Sequence, residues 1–180
     1  MITHGYSGMV GDQFVFRVRG GKSMLCAKPV PSTKPRTQAQ IDQGKRFTGA
    51  VHYAQTAMAD PAKKAVYEAR ATKDLTAYNV AAKDFLSKPW IDQIDAIDYT
   101  GHAGDKIRVI ASDNVKAISV NLSVTDAAGN VLETAACVYD DQNLLWIYTC
   151  TTAQAVVAGL RLIAVARDLP GHVTEQTLTL

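Results

Sequence analysis

Between Gly11 and Pro31 apolar and polar positions alternate, with Phe14, Phe16 and Val18 on one side and Gln13, Val15, Arg17 and Arg19 on the other. That is the two-residue period of a strand. Gly20-Gly21 then supplies the backbone freedom of a two-residue turn, so Lys22 to Lys28 predicts the return strand of a β-hairpin. An isolated hairpin is marginal in water, and strands this apolar must pair with the C-terminal sheets or with another chain. Pro29, Pro31 and Pro35 fix φ and remove donors, which makes an extended polar connector. Thr37 is the predicted N-cap of a helix from Gln38 to about Ala59, with Ile41, Phe47, Val51, Ala54 and Met58 as its apolar face and Gly44 and Gly49 weakening its middle. Asp60-Pro61 restarts the pattern for a second helix through Ala65, Tyr67, Ala71 and Leu75. A third helix is expected from near Thr76 to Leu86, apolar along Tyr78, Ala81, Ala82 and Phe85 and closed by Lys88-Pro89.

After Trp90 the texture changes to short alternating runs: Lys106 to Ala111, Ala117 to Thr125, Val131 to Tyr139, Leu144 to Thr151, Leu160 to Arg167 and Thr174 to Leu180, with Ile91 to Tyr99 as a leading strand. Ile118, Val120, Leu122 and Val124 share one face, as do Leu160, Leu162, Ala164 and Ala166, and each row predicts one wall of an inter-sheet core. Asp126-Ala127-Ala128-Gly129-Asn130 and Asp168-Leu169-Pro170-Gly171-His172 have turn chemistry. The expected fold class is α+β: a β-hairpin and proline connector over 1–36, a small helical bundle over 37–89, and an antiparallel β-sandwich over 90–180.

Composition changes this picture little, since 47% apolar and 20% charged residues are ordinary for a globular chain. Charge changes it more. The net +2 splits into +8 for residues 1–89 (14 Lys and Arg, 6 Asp and Glu) and −6 for residues 90–180 (5 and 11). Such polarity favours head-to-tail contact between copies, or a polyanion on the basic half. No apolar run reaches the roughly 20 residues of a membrane helix. The first eight residues, Met1 to Gly8, lack a basic segment followed by an apolar one. Cytoplasmic synthesis is expected, with the final location open, an extracellular or viral assembly included. Cys26, Cys137 and Cys150 form no CxxC pair. They read as small buried hydrophobes, with a Cys137–Cys150 bond across neighbouring strands as the lesser alternative.

Two stretches carry a resemblance. Gly104-Asp105-Lys106-Ile107-Arg108-Val109, Val124 to Asn130 and Ala166 to Glu175 resemble bacterial immunoglobulin-like domains, which implies a sandwich and leaves function open, because such domains serve as spacers, adhesins and assembly modules alike. Gly8 to Asp12, Gly20-Gly21-Lys22 and Lys34 to Gln40 are similar to hypothetical proteins of Bacteroidetes, from which no site residue transfers. Asp60 to Ala71, with Tyr78, shares a short likeness with the last helix of an HMG box, without the intercalating wedge that DNA bending needs.

The chemistry of catalysis is sparse. His4, His52, His102 and His172 fall on a tail, a helix and two expected loops, so no triad assembles. Gly20-Gly21-Lys22 lacks the spacing of a phosphate loop. Asp92, Asp95 and Asp98, with Asp140-Asp141, invite a calcium reading but form no EF-hand loop. The residues Arg17, Arg19, Lys22, Lys28, Lys34, Arg36, Lys45 and Arg46 form one basic concentration, although Phe14 and Phe16 have the wrong parity for a stacking platform beside it. The expectation is a non-catalytic structural subunit without cofactor, metal or small-molecule substrate. It self-assembles as a homo-oligomer or in a larger particle such as a fibre or phage-like virion, through Phe14, Phe16, Val18, Arg17, Arg19, Met24 and Leu25. The alternatives are a carbohydrate- or protein-binding module, if Tyr139, Trp146 and Tyr148 line a surface groove, and a nucleic-acid accessory protein using the basic half.

Overall fold

The computed structural model describes residues 7–19 and 21–180. His4, the N-terminal tail around it and the first glycine of the hairpin turn lie outside them. The chain is mixed α+β, its sheets antiparallel, and it divides into two compact units at the Ala82–Lys83 bond.

In the first unit, β2 (Phe14–Arg19) and β3 (Lys22–Ala27) form the expected hairpin, with Gly21 at φ +74° in its turn. A short strand that periodicity missed, β1 (Gly8–Val10), pairs with the other side of β2 and gives the order β1-β2-β3. Helix α1 (Gln38–Ala59) opens with a capping box: Gln40 N–H donates to Thr37 Oγ1 at 3.4 Å, and Thr37 N–H donates to Gln40 Oε1 at 3.0 Å. Thr37→Ala removes one half of that exchange and is expected to cost about 1 kcal/mol of local helix stability. Faster amide hydrogen exchange over the first two turns of α1 reads it out.

Asp60 ends α1 and caps α2 (Pro61–Glu68), its Oδ1 accepting from Ala62 N–H and Lys63 N–H. The Tyr53 and Tyr67 hydroxyls meet at 2.6 Å and their rings stand edge-on, which fixes α1 against α2. The buried stripe of α1 is Ala50, Ala54 and Ala57, not the bulky residues that the sequence favours. Ile41 and Phe47 are exposed, as is every residue from Gln38 to Thr48. Close helix approach selects small side chains, and the first three turns have no helix of the unit against them. Helix α2 also stops earlier than expected, and Thr72 and Leu75 instead exchange backbone hydrogen bonds across a turn. Helix α3 (Ala77–Leu86) follows, with Thr76 Oγ1 accepting from Asn79 N–H.

The second unit contains two four-stranded antiparallel sheets. One has the order β11 (Val173–Thr179), β10 (Arg161–Asp168), β6 (Ala117–Thr125), β7 (Val131–Ala136). The other has the order β4 (Trp90–Asp95), β5 (Lys106–Ser112), β9 (Leu145–Thr149), β8 (Val138–Asp140). They share one core: Val120, Leu122, Val124, Leu162, Ala164 and Ala166 from the first, and Ile94, Ile107, Val109, Trp146 and Tyr148 from the second. The alternating rows along β6 and β10 thus face inward as expected, except that Ile118 at the end of its row is exposed. The run from Val131 to Tyr139, read as one strand, is two. The chain leaves the first sheet after Ala136 and joins the second at Val138, while Cys137 N–H still donates to Val120 C=O at 2.8 Å. Gly101 sits at φ +90°, and a Cβ there would lie 2.7 Å from the Gln154 carbonyl oxygen, so the approach of these two loops requires glycine.

Candidate assembly interface

The three strands β1 to β3 pair with one another and with no other strand among the described residues, and none of their described side chains is buried. The register sorts the side chains. Val10, Phe14, Phe16, Val18 and Leu25 share one face, and Met9, Val15, Arg17, Met24 and Cys26 share the other with Lys22. Of the expected interface residues, Phe14, Val18, Met24, Leu25 and Arg17 are exposed and Phe16 is half-buried; the Arg19 side chain lies outside the described residues. Leu25 and Met9 show 54% and 66% of their surface to solvent, the reverse of what their chemistry favours. Lys28 is neutralised by Asp12 at 2.9 Å.

Backbone capacity is open at the margin as well. Lys28 N–H donates to Gln13 C=O at 2.8 Å, which sets the alternation of the β2–β3 ladder. Leu25 and Ala27 accordingly turn their N–H and C=O groups away from β2, toward the side where no strand follows.

In the second unit the margin formed by β7 and β8 is a second apolar surface, exposing Val131, Leu132, Val138, Tyr139 and Leu144. Leu144 adopts φ +55°, the left-handed region that costs a branched side chain about 1 kcal/mol, and still projects into solvent. Asp140 shapes the preceding turn, its Oδ1 accepting from Gln142 N–H at 2.9 Å and its Oδ2 from Asn143 Nδ2 at 2.8 Å. These donors hold its carboxyl below the ordinary range.

Behind this margin Glu133 is buried, with no ion-pair partner among the described residues. Its carboxylate accepts from Thr151 N–H at 2.6 Å, Thr151 Oγ1 at 3.0 Å and Thr152 N–H at 3.1 Å, tying β7 of one sheet to the chain that leaves β9 of the other. Burial pushes its carboxyl up, and these donors outweigh that and leave it below its ordinary value. Sequence reasoning missed this clamp, because a lone glutamate in an alternating strand reads as an outward residue.

Tyr139, Trp146 and Tyr148 do not together line the surface groove that a ligand-binding module needs. Trp146 and Tyr148 belong to the core, and only Tyr139 is exposed, with its ring centroid 5.0 Å from that of Trp146. Of the acids that invite a calcium reading, Asp95 and Asp98 converge on Arg108 at 3.4 and 2.7 Å, and no cluster of three potential ligands forms among the described residues. Asp168 is buried in the turn before β11, where it accepts from Gly171 N–H, His172 N–H and His172 Nδ1, and the His172 ring lies edge-on to Phe85. The cysteines are free thiols; burial pushes Cys137 to about 12 and Cys150 to about 11, so both stay protonated and unreactive. An open groove of about 450 Å³ at Ser32, Lys34, Pro35, Arg36, Thr37 and Gln40 borders the start of α1, where the Gln40 N–H is already given to Thr37 Oγ1. No described helix is long and apolar enough to cross a membrane. No protein-family model, curated protein or solved structure matches the chain.

Proposed function

We propose that the protein is a non-catalytic structural subunit that assembles with copies of itself, as in a fibre or a phage-like particle, by adding its N-terminal sheet to the sheet edge of a neighbour. In this reading the second unit is an immunoglobulin-like sandwich acting as an assembly module, and the opposite charges of the two halves orient the contact head to tail. The observation that carries the proposal is an apolar three-stranded sheet none of whose described side chains is buried. Three strands need a covered hydrophobic face to be stable.

Magnitudes support strand pairing over side-chain docking alone. Burying the exposed part of Val10, Phe14, Val18 and Leu25, which share one face, is worth about 1 kcal/mol each, on the order of 4 kcal/mol together. Association costs about 4–15 kcal/mol. Side-chain burial by itself therefore falls near or below the cost, and the open backbone of β3 and the flanking cations supply the remainder. Burial of Trp146 and Tyr148 further favours assembly over ligand capture.

Electron microscopy and sedimentation velocity of the full chain, beside a chain lacking residues 1–35, test the proposal. Polymers are expected only from the full chain. Monodisperse single copies in both samples would reject it.

A further inference from the structure

Resting on that reading, we propose that the surface receiving the N-terminal sheet is the β7–β8 margin of the second unit of the next copy, with β3 of one molecule adding directly to β7 of the other.

Both are six-residue strands at the end of a sheet. Cys137 N–H donates to Val120 C=O, so by the alternation of the β6–β7 ladder Thr134 and Ala136 turn their backbone groups outward, as Leu25 and Ala27 do on β3. Pairing them would join β1-β2-β3 to β7-β6-β10-β11 in one continuous sheet.

Charge selects the same partner. Residues 131–144 hold Glu133, Asp140 and Asp141 and no lysine or arginine, a net of −3, while residues 7–28 hold Arg17, Arg19, Lys22 and Lys28 against Asp12, a net of +3. Exposed Val138 (73%) and Leu144 (68%) add apolar surface beside the acidic pair. The opposite margin of the unit is a poorer receiver. There the Thr174 hydroxyl donates to the Pro89 carbonyl at 2.6 Å, tying β11 to the start of β4, and Arg108 already neutralises Asp95 and Asp98.

The contact joins two different surfaces, which makes a specific mixing experiment decisive. Leu25→Pro deletes an outward N–H of β3 and leaves the β2–β3 ladder bonds in place; Ala136→Pro does the same on β7. In sedimentation velocity of full-length chains, each variant alone is expected to remain a single copy at concentrations tenfold above those that polymerise the parent. An equimolar mixture is expected to form a dimer and stop, because one intact β3 and one intact β7 remain to meet. Val138→Glu, at an exposed side chain, must also lose polymer and rescue Leu25→Pro to a dimer, which keeps the test sound should Ala136→Pro fail to fold. Polymers of Val138→Glu as long as the parent's, or no dimer in either mixture, overturn this assignment while self-assembly stands. A parent chain that stays a single copy throughout overturns both.

Discussion

Leu162→Ala is expected to lower the stability of the second unit by about 3 kcal/mol. Leu162 is fully buried on an inner strand of its sheet, opposite Val124 on β6 and Leu178 on β11, and its side chain enters the core that the two sheets share. Truncation removes both the transfer free energy of the lost carbons and the contacts around the resulting void, and neighbours held on two strands cannot collapse into it. Urea unfolding followed by tryptophan fluorescence measures the change, since Trp146 lies in the same core. The midpoint falls and the slope stays constant if the native fold is kept. Ile118→Ala, at an exposed position of β6, supplies the contrast and is expected to cost less than about 1 kcal/mol. Equal losses at both positions would place the core elsewhere.

Glu133→Gln is expected to cost about 2 kcal/mol at neutral pH and to remove part of the protein's acid sensitivity. The carboxylate accepts three hydrogen bonds across the two sheets, and an amide cannot present two acceptor oxygens to the same donors. The direction of the pH dependence follows from the lowered carboxyl. The unfolded chain binds a proton near the ordinary value of 4.5, whereas the folded chain resists it to lower pH. Stability from this group is therefore complete above that value and is lost as pH falls through the folded pKa. Asp105, Asp126 and Asp140 are shifted the same way by their own turn donors, so the variant flattens the acid limb without abolishing it. Denaturation midpoints measured from pH 7 to pH 3 resolve the difference between the two chains. Parallel curves would show that the clamp carries no linked proton.

Residues whose burial follows a strict period were readable in the chain itself. Val120, Leu122 and Val124 alternate with polar neighbours because one side of β6 meets the core, and Thr37 announced the start of α1. The buried stripe of α1 was not readable. Alanine contributes little to an apolar count, yet Ala50, Ala54 and Ala57 are buried, and the large Ile41 and Phe47 lie where no partner helix reaches. Val131 to Tyr139 kept an unbroken strand texture because the change of sheet needs no glycine or proline at Cys137. Of the candidate site, the hairpin residues were legible from their own alternation. The acidic margin was not, since β7 and β8 come together as one surface only once the chain has changed sheets. Likewise Glu133 acquires its partners from Thr151 and Thr152, whose approach no local pattern encodes.

The passage from β7 to β8 through a single residue also has a mechanical meaning. A tensile pull entering along that stretch is divided between the two sheets on either side of Cys137, and four residues upstream the Glu133 carboxylate holds β7 to the chain that leaves β9. Peeling one sheet from the other at this margin must first break the Glu133 hydrogen bonds to Thr151 and Thr152.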